Sequence, residues 1–281
     1  MNQNIINIIV NCMPSYSSNS DIQKIQTEHR LKIANFWNIK EGSNVLEIGC
    51  GQGDTTAVLA HLVGEAGFVH AVDIASPNYG SPITLGDSLE YIKNSHLGNR
   101  IKVDFEMDVM SPEVDFPEGS FDAIVLSHSS WYLKNVEELQ EIFRKSKKWG
   151  KALCFAEWDS RITTVEQYPH LLAVLIQAQY ECFKKDSLSN IRSLFTPEDF
   201  RHVAENAGWK LIAEEKIDSP KLQDGTWEVE QLIEQYQEEL ESIMNLPSKF
   251  SALIESEIYL LKAAIEHTGI QPLSTYTFTA E

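Results

Sequence analysis

The residues best suited to chemistry begin at 47–54, EIGCGQGD, where an apolar run containing an acid meets three alternating glycines, Gly49, Gly51 and Gly53. Glycine adopts positive φ freely and lets a ligand touch bare backbone, so this spacing marks a turn built for close approach. A dinucleotide fingerprint would put its third glycine at position 54, which is Asp54. An acid at a helix N-terminus repels a pyrophosphate that seeks the same amides. A Walker phosphate loop is excluded, because no GK[ST] follows. Two further acids, Asp73 in HAVDIA and Asp108 in FEMDVM, end apolar runs. Asp73 is placed to bind both hydroxyls of a ribose, a device that dehydrogenases share. Asp108 reads equally well as a solvated loop acid or a helix cap.

Further along, His128 supplies an imidazole, a side-chain type suited to removing a proton from a hydroxyl or an ammonium. It reads equally as a histidine that packs and hydrogen-bonds its own loop. Trp131 and Tyr132 follow as an aromatic wall, as a cation–π surface or as core. Glu157, Trp158 and Asp159 close another apolar run, where an acid can hold an ammonium or act as a second base. Arg192 is a candidate clamp for a carboxylate, and Tyr180, beside Gln177 and Gln179, a candidate polar contact in a lid.

These groups need a scaffold that gathers them. Apolar strand patterns at 44–50, 67–74, 100–108, 121–129 and 150–159 alternate with helical patterns at 54–64, 88–98 and 135–149. Short strand–helix connections of this kind predict an α/β fold, a parallel sheet with helices on both faces. Ligands of such sheets sit outside the carboxyl ends of the strands. The acids and His128 all fall at those ends.

A helix is expected at 21–37 after a loop at 15–20, and an apolar helix at 163–185 breaks the alternation. At 196–209 the start signals are strong, with Thr196 as N-cap, Pro197 in the first turn and Asp199 completing a capping box. A sixth strand at 210–217, acidic helices at ~227–245 and ~248–268, and an alternating run at 274–281 that reads as an edge strand complete the chain. The expected organisation is a single domain over 1–281. It has an N-terminal helical segment at 1–40 and helical insertions at 163–190 and 222–270 that cover the substrate pocket as a lid.

The chain has 281 residues, long enough to bury a core without a disulfide or metal staple. Its net charge of −18 argues against nucleic-acid or anionic-membrane partners, which call for a positive face. Cys12, Cys50, Cys154 and Cys182 are scattered without CxxC spacing, which points to a reducing cytoplasm and no structural zinc. The apolar run at 5–10 lacks a basic start and is too short to span a bilayer.

The spacing E-x-G-x-G-x-G from Glu47 to Gly53 resembles motif I of the class I S-adenosylmethionine (AdoMet)-dependent methyltransferases. The stretch 121–133 resembles their motif IV, and 195–209 followed by a strand resembles the segment before their last hairpin. The resemblance implies a seven-stranded, mostly parallel sheet in the order 3-2-1-4-5-7-6, with AdoMet as cofactor. It further implies a cofactor site from Glu47, Gly49, Cys50, Gly51, Gly53, Asp73, Ile74, Asp108, Val109 and Ser127, with Asp108 receiving the adenine amino group. AdoMet carries a sulfonium and an ammonium, so an acidic surround is tolerable where a pyrophosphate would be repelled.

The expected reaction is methyl transfer to a hydroxyl or amine of a small molecule. His128 is the candidate base, and Trp131, Tyr132, Trp158, Asp159, Arg192 and Tyr180 are candidate substrate contacts. The stretch 126–133, LSHSSWYL, lacks the clustered acids of a metal-dependent site, so no catalytic metal is expected. Two other readings stay open, an aminopropyl transferase-like enzyme and a non-catalytic AdoMet-binding protein that docks a partner. The sequence allows a monomer or a homodimer.

Overall fold

The computed structural model describes residues 3–14, 20–185, 187 and 189–281. Apart from Ser20, the loop expected at 15–20 lies outside the described residues. Seven strands form the sheet: β1 (Asn44–Ile48), β2 (Phe68–Val72), β3 (Ile101–Asp104), β4 (Phe121–Ser127), β5 (Gly150–Trp158), β6 (Leu211–Ile217) and β7 (Thr275–Ala280). Their order is β3-β2-β1-β4-β5-β7-β6, as the family resemblance implies. The pairs among β1 to β5 are parallel, and β7 runs antiparallel between β5 and β6.

The period of two along each strand divides the core into two layers. Val45 of β1 and Cys154 and Ala156 of β5 face the layer of α1 (Gln3–Val10), α2 (Ser20–Trp37), α3 (Asp54–Val63) and α4 (Leu85–Lys93). Their neighbours Leu46, Ile48, Leu153 and Phe155 face the layer of α5 (Val136–Trp149) and α7 (Pro197–Asn206). With both faces covered, β1 is buried from Val45 to Ile48, its acid Glu47 included. A third apolar cluster joins α6 (Tyr168–Glu181) to α8 (Asp224–Ser242) and α9 (Ser248–Thr268), through residues such as Leu172, Ile176, Leu232 and Ile258.

Several boundaries differ from expectation for local reasons. The helix expected over 163–185 starts only at Tyr168. The side chain of Gln167 accepts the backbone N–H of Thr163 and caps a short turn at Val165–Gln167, and Pro169 then opens the helix. The strand expected to reach residue 108 stops at Asp104, because Glu106 takes φ +55°. The run at 274–281 is not at an edge. Thr275–Ala280 is buried almost throughout between two neighbours, and its polar threonines are satisfied inside: Thr277 Oγ1 donates to the Phe155 carbonyl (2.7 Å) and accepts from Trp37 Nε1 (2.8 Å). Among the described residues no helix is long and apolar enough to cross a membrane.

Phe278 anchors this inner strand, fully buried with its ring 5.0 Å from Phe155 and 6.5 Å from Phe143. Replacing it with alanine is expected to cost about 3–5 kcal/mol. A lower denaturant midpoint at unchanged m-value would show this, and an unchanged midpoint would contradict the inner placement.

Candidate active site

Because β1 pairs in register with β2 and β4, Val45 beside both Val69 and Ala123, the three strands end at one edge of the sheet. That edge collects the glycine turn, Asp73 and His128. Gly49, Gly51 and Gly53 take φ +76°, +52° and +86°. A Cβ at Gly49 would lie 2.7 Å from Ser129 Cβ, and one at Gly53 would lie 2.5 Å from Leu89 Cδ2, so packing demands glycine at both. A Cβ at Gly51 would meet nothing within 4 Å. There the bare backbone faces open space, as a ligand-binding turn requires.

Around the turn stand the acids. Asp73 is half-buried; its Oδ2 accepts the Gly51 N–H (2.8 Å) and its Oδ1 the Ala75 N–H (2.9 Å), which fix the carboxylate at the end of β2. Ile74 beside it is 65% exposed, an apolar surface left uncovered. Asp108 accepts the Met110 N–H at Oδ1 (2.8 Å), and Val109 is buried behind it. Ser127 ends β4. Cys50 is buried, which pushes its thiol far up and leaves it a packing residue.

Glu47 lies under the turn, 2% exposed, and accepts the Thr56 hydroxyl (2.6 Å). Burial pushes its carboxyl up to about 8, helped by the charges of Asp73 and Asp54 and opposed by Thr56 and Arg30. Open glycine backbone ringed by acids fits a cationic cofactor better than a phosphate. Asp73, Asp108 and the turn are the residues that would hold AdoMet.

The fourth and fifth strands border a cavity of 330 Å³. His128, Trp131, Tyr132, Glu157 and Trp158 line it from the strand ends; Gln26, His29 and Arg30 come from α2, His170 from α6, and Asp224, Trp227, Glu228 and Gln231 from α8. Tyr132 and Asn190 also line the groove that contains Gln52 and Asp54 of the glycine turn, so the two regions adjoin. His128 takes φ +50°, a conformation rare outside glycine that concentrates at functional sites. It follows the last residue of β4 and aims its ring into the cavity.

The buried His128 Nδ1 lacks a well-aligned hydrogen-bond partner, and the nearest acceptor, Glu157 Oε1, is 3.4 Å away. Such bonds are often long in free catalytic sites and tighten with substrate. Burial pushes the Glu157 carboxyl up, but His128, both Ser130 donors and the Trp158 N–H outweigh this and hold it below the usual range. Glu157 is therefore an anion beside an imidazole.

Three expected substrate residues lie elsewhere. Asp159 is fully buried, and Arg161 binds both of its oxygens (2.9 and 2.8 Å), so it serves the loop after β5. Tyr180 lines a neighbouring cavity of 450 Å³ under Lys184. Arg192 does not line the 330 Å³ cavity; its backbone N–H bonds the Trp131 carbonyl (2.8 Å). The α2 and α8 contributors do not stand out in the sequence. Their one local signal is polar residues recurring inside apolar helical patterns, which solvation explains equally well.

Two consequences can be measured. Gly51→Val should weaken AdoMet binding by on the order of 10²-fold in calorimetric titration, ~2.7 kcal/mol, because its side chain would fill the open space. Unchanged affinity would refute this placement of the cofactor. Glu47 has a folded-state pKa raised above its unfolded value, so its contribution to stability is full below about pH 4.5 and is lost as pH rises through 8. Without cofactor, the protein should lose on the order of a few kcal/mol relative to Glu47→Gln between pH 5 and 9. Parallel stability curves for the two proteins would show that Glu47 does not titrate this way.

Comparison with known proteins agrees with this geometry. A model of a methyltransferase domain matches residues 23–214. A solved cyclopropane-fatty-acyl-phospholipid synthase-like protein from Lactobacillus casei is 33% identical over 99% of both chains, with a TM-score of 0.88. Methyltransferase phomM' of Diaporthe leptostromiformis is 29% identical over 36% of this chain, and the demethylmenaquinone methyltransferase of a Geobacillus strain 27% identical over 42%. Those matches cover 30% and 46% of the two enzymes, so the chain spans less than half the length of each. A phosphoethanolamine N-methyltransferase from Haemonchus contortus in complex with AdoMet, 17% identical with a TM-score of 0.52 over 90% of this chain, shares the fold. The glycine turn, the two acids in the loops after β2 and β3, the strand order and the matched methyltransferase domain lead to one conclusion: this chain belongs to the class I AdoMet-dependent methyltransferases.

Proposed function

We propose that this chain transfers a methyl group from AdoMet to a hydroxyl or amine of a small molecule held in the 330 Å³ cavity. The observation that carries this reading is the His128–Glu157 pair on the cavity wall, at the strand end next to the glycine turn. AdoMet supplies an activated methyl on a sulfonium, so the protein's task is to position the acceptor and take its proton. Glu157 favours the His128 tautomer with hydrogen on Nδ1, which leaves the Nε2 lone pair to receive that proton. Trp131, Tyr132, Trp158 and Trp227 enclose the acceptor, and the helices within 163–190 and 222–270 act as its cover. Among the described residues no group of three or more His, Cys, Asp and Glu side chains is arranged to hold a metal ion. The proton acceptor in this reading is His128.

The test is a screen of small hydroxyl and amine acceptors for release of S-adenosylhomocysteine, followed by His128→Ala on the best acceptor. The variant should lose on the order of 10²-fold in kcat while AdoMet affinity stays unchanged. Full activity in His128→Ala would remove it from the mechanism, and no release with any acceptor would remove the reading.

A further inference from the structure

Through the ring nitrogen that does not face Glu157, His128 meets a second histidine from a distant part of the chain. His29 Nε2 of α2 lies 3.4 Å from His128 Nε2. Thr275 Oγ1, fully buried at the start of β7, lies 3.2 Å from the one and 3.5 Å from the other. His29 Nδ1 is 2.9 Å from Ser219 Oγ, and Trp158 lies beside both rings, 6.2 Å from His29 and 4.5 Å from His128.

We assign the proton positions from these neighbours. The Glu157 carboxylate can only accept, so His128 carries its hydrogen on Nδ1 and presents a lone pair at Nε2. His29 therefore presents N–H at Nε2 and accepts the Ser219 hydroxyl at Nδ1. Burial first, then the positive charges of His128, Arg30 and Lys32, push His29 well below its usual range, so it remains a neutral donor when His128 is protonated. One acceptor atom and one donor atom thus face each other at the edge of the same cavity.

We propose that His29 and His128 form a dyad that selects an oxygen acceptor, the hydroxyl of a phenol-like small molecule. The hydroxyl donates its hydrogen to His128 Nε2 while its oxygen accepts Nε2–H of His29. As the O–H bond breaks, the proton passes to His128 and the electron pair stays on oxygen. The oxygen still has a lone pair free to form the C–O bond as the methyl leaves sulfur with the C–S pair. The neutral amine that attacks has a single lone pair, and if His29 bonds it no pair is left to attack.

The base decides between hydroxyls. For an imidazole base the gap to a phenol, at about 10, is far smaller than the gap to an aliphatic alcohol. The hydrogen bond from His29 closes part of the smaller gap by stabilising the oxyanion. The flat walls of Trp131, Tyr132 and Trp227 suit a ring. Besides Glu157, the charged or titratable groups that line the cavity with the dyad are Arg30 of α2, Tyr132 after β4, His170 of α6, and Asp224 and Glu228 of α8.

This inference rests on the methyl-transfer reading, and two measurements separate them. Turnover should occur with phenols and not with isosteric anilines or benzylamines. His29→Leu should lower kcat on the order of 10-fold or more with unchanged KM for AdoMet, and His29→Gln, which keeps an N–H donor, should restore most of it. The second measurement needs no turnover. Titrated with the full chain, 4-nitrophenol should ionise on binding by on the order of 10-fold more than in water at the same pH, and His29→Leu should abolish that shift. Amines turned over as well as phenols, or full activity in His29→Leu, would overturn the dyad and leave methyl transfer standing. Turnover of neither series sinks the methyl-transfer reading. The 4-nitrophenol titration then decides the dyad alone: no shift in ionisation, or a shift undiminished in His29→Leu, overturns it.

Discussion

The parallel register of β1 with β2 and β4 is the constraint on which the site depends. It makes three strands stop at one edge, so that a glycine turn, a carboxylate and a histidine meet without long side chains reaching for them. Backbone hydrogen bonds hold this edge. The Gly49 and Cys50 amides bond the Val72 carbonyl, and the Asp73 carboxylate accepts the Gly51 N–H. The turn is thus shaped by its neighbouring strand as well as by its glycines. A cofactor meets a preformed surface, which lowers the ordering cost of binding.

The second organising element is the reversal of β7. An antiparallel strand in a parallel sheet begins where its neighbours end, so Thr275 pairs with Trp158 at the active edge while the rest of the strand runs into the core. The same reversal brings the start of β7 to α2 and the loop after β6, where His29 touches both Thr275 and Ser219. Gln23 of the same helix donates to Asp54 at the glycine turn (2.7 Å). One helix therefore contacts both the glycine turn and the 330 Å³ cavity, which is assembled from several distant segments.

Charge follows a similar division. Near the glycine turn the acids cluster with few cations, and a buried Glu47 that keeps its proton at neutral pH avoids still more repulsion. In the cavity beside His128, hydrogen bonds and the His128 charge outweigh burial and hold the Glu157 carboxyl below its usual range, whereas burial alone drives His170 down to about 3.

The strands and their order were legible in the sequence, and so was the turn at the end of β1 with Asp73 just beyond β2, whereas Asp108 lies four residues past the end of β3. Asp54, which breaks the dinucleotide pattern, separates the two nucleotide-type readings by residue type alone. The alternation of 274–281 did not reveal an inner strand, because threonines bonded inside a sheet look like threonines facing water. His29, Ser219 and Thr275 carry no shared local pattern, and neither Asp159 nor Tyr180 announced that packing would turn it away from the cavity. The sequence by itself determined the cofactor end of this protein, because that end is built by short contiguous turns whose backbone geometry is written in residue type. Only the tertiary structure decided the cavity beside His128, because it arises where strand order and helix packing bring together side chains up to 246 positions apart.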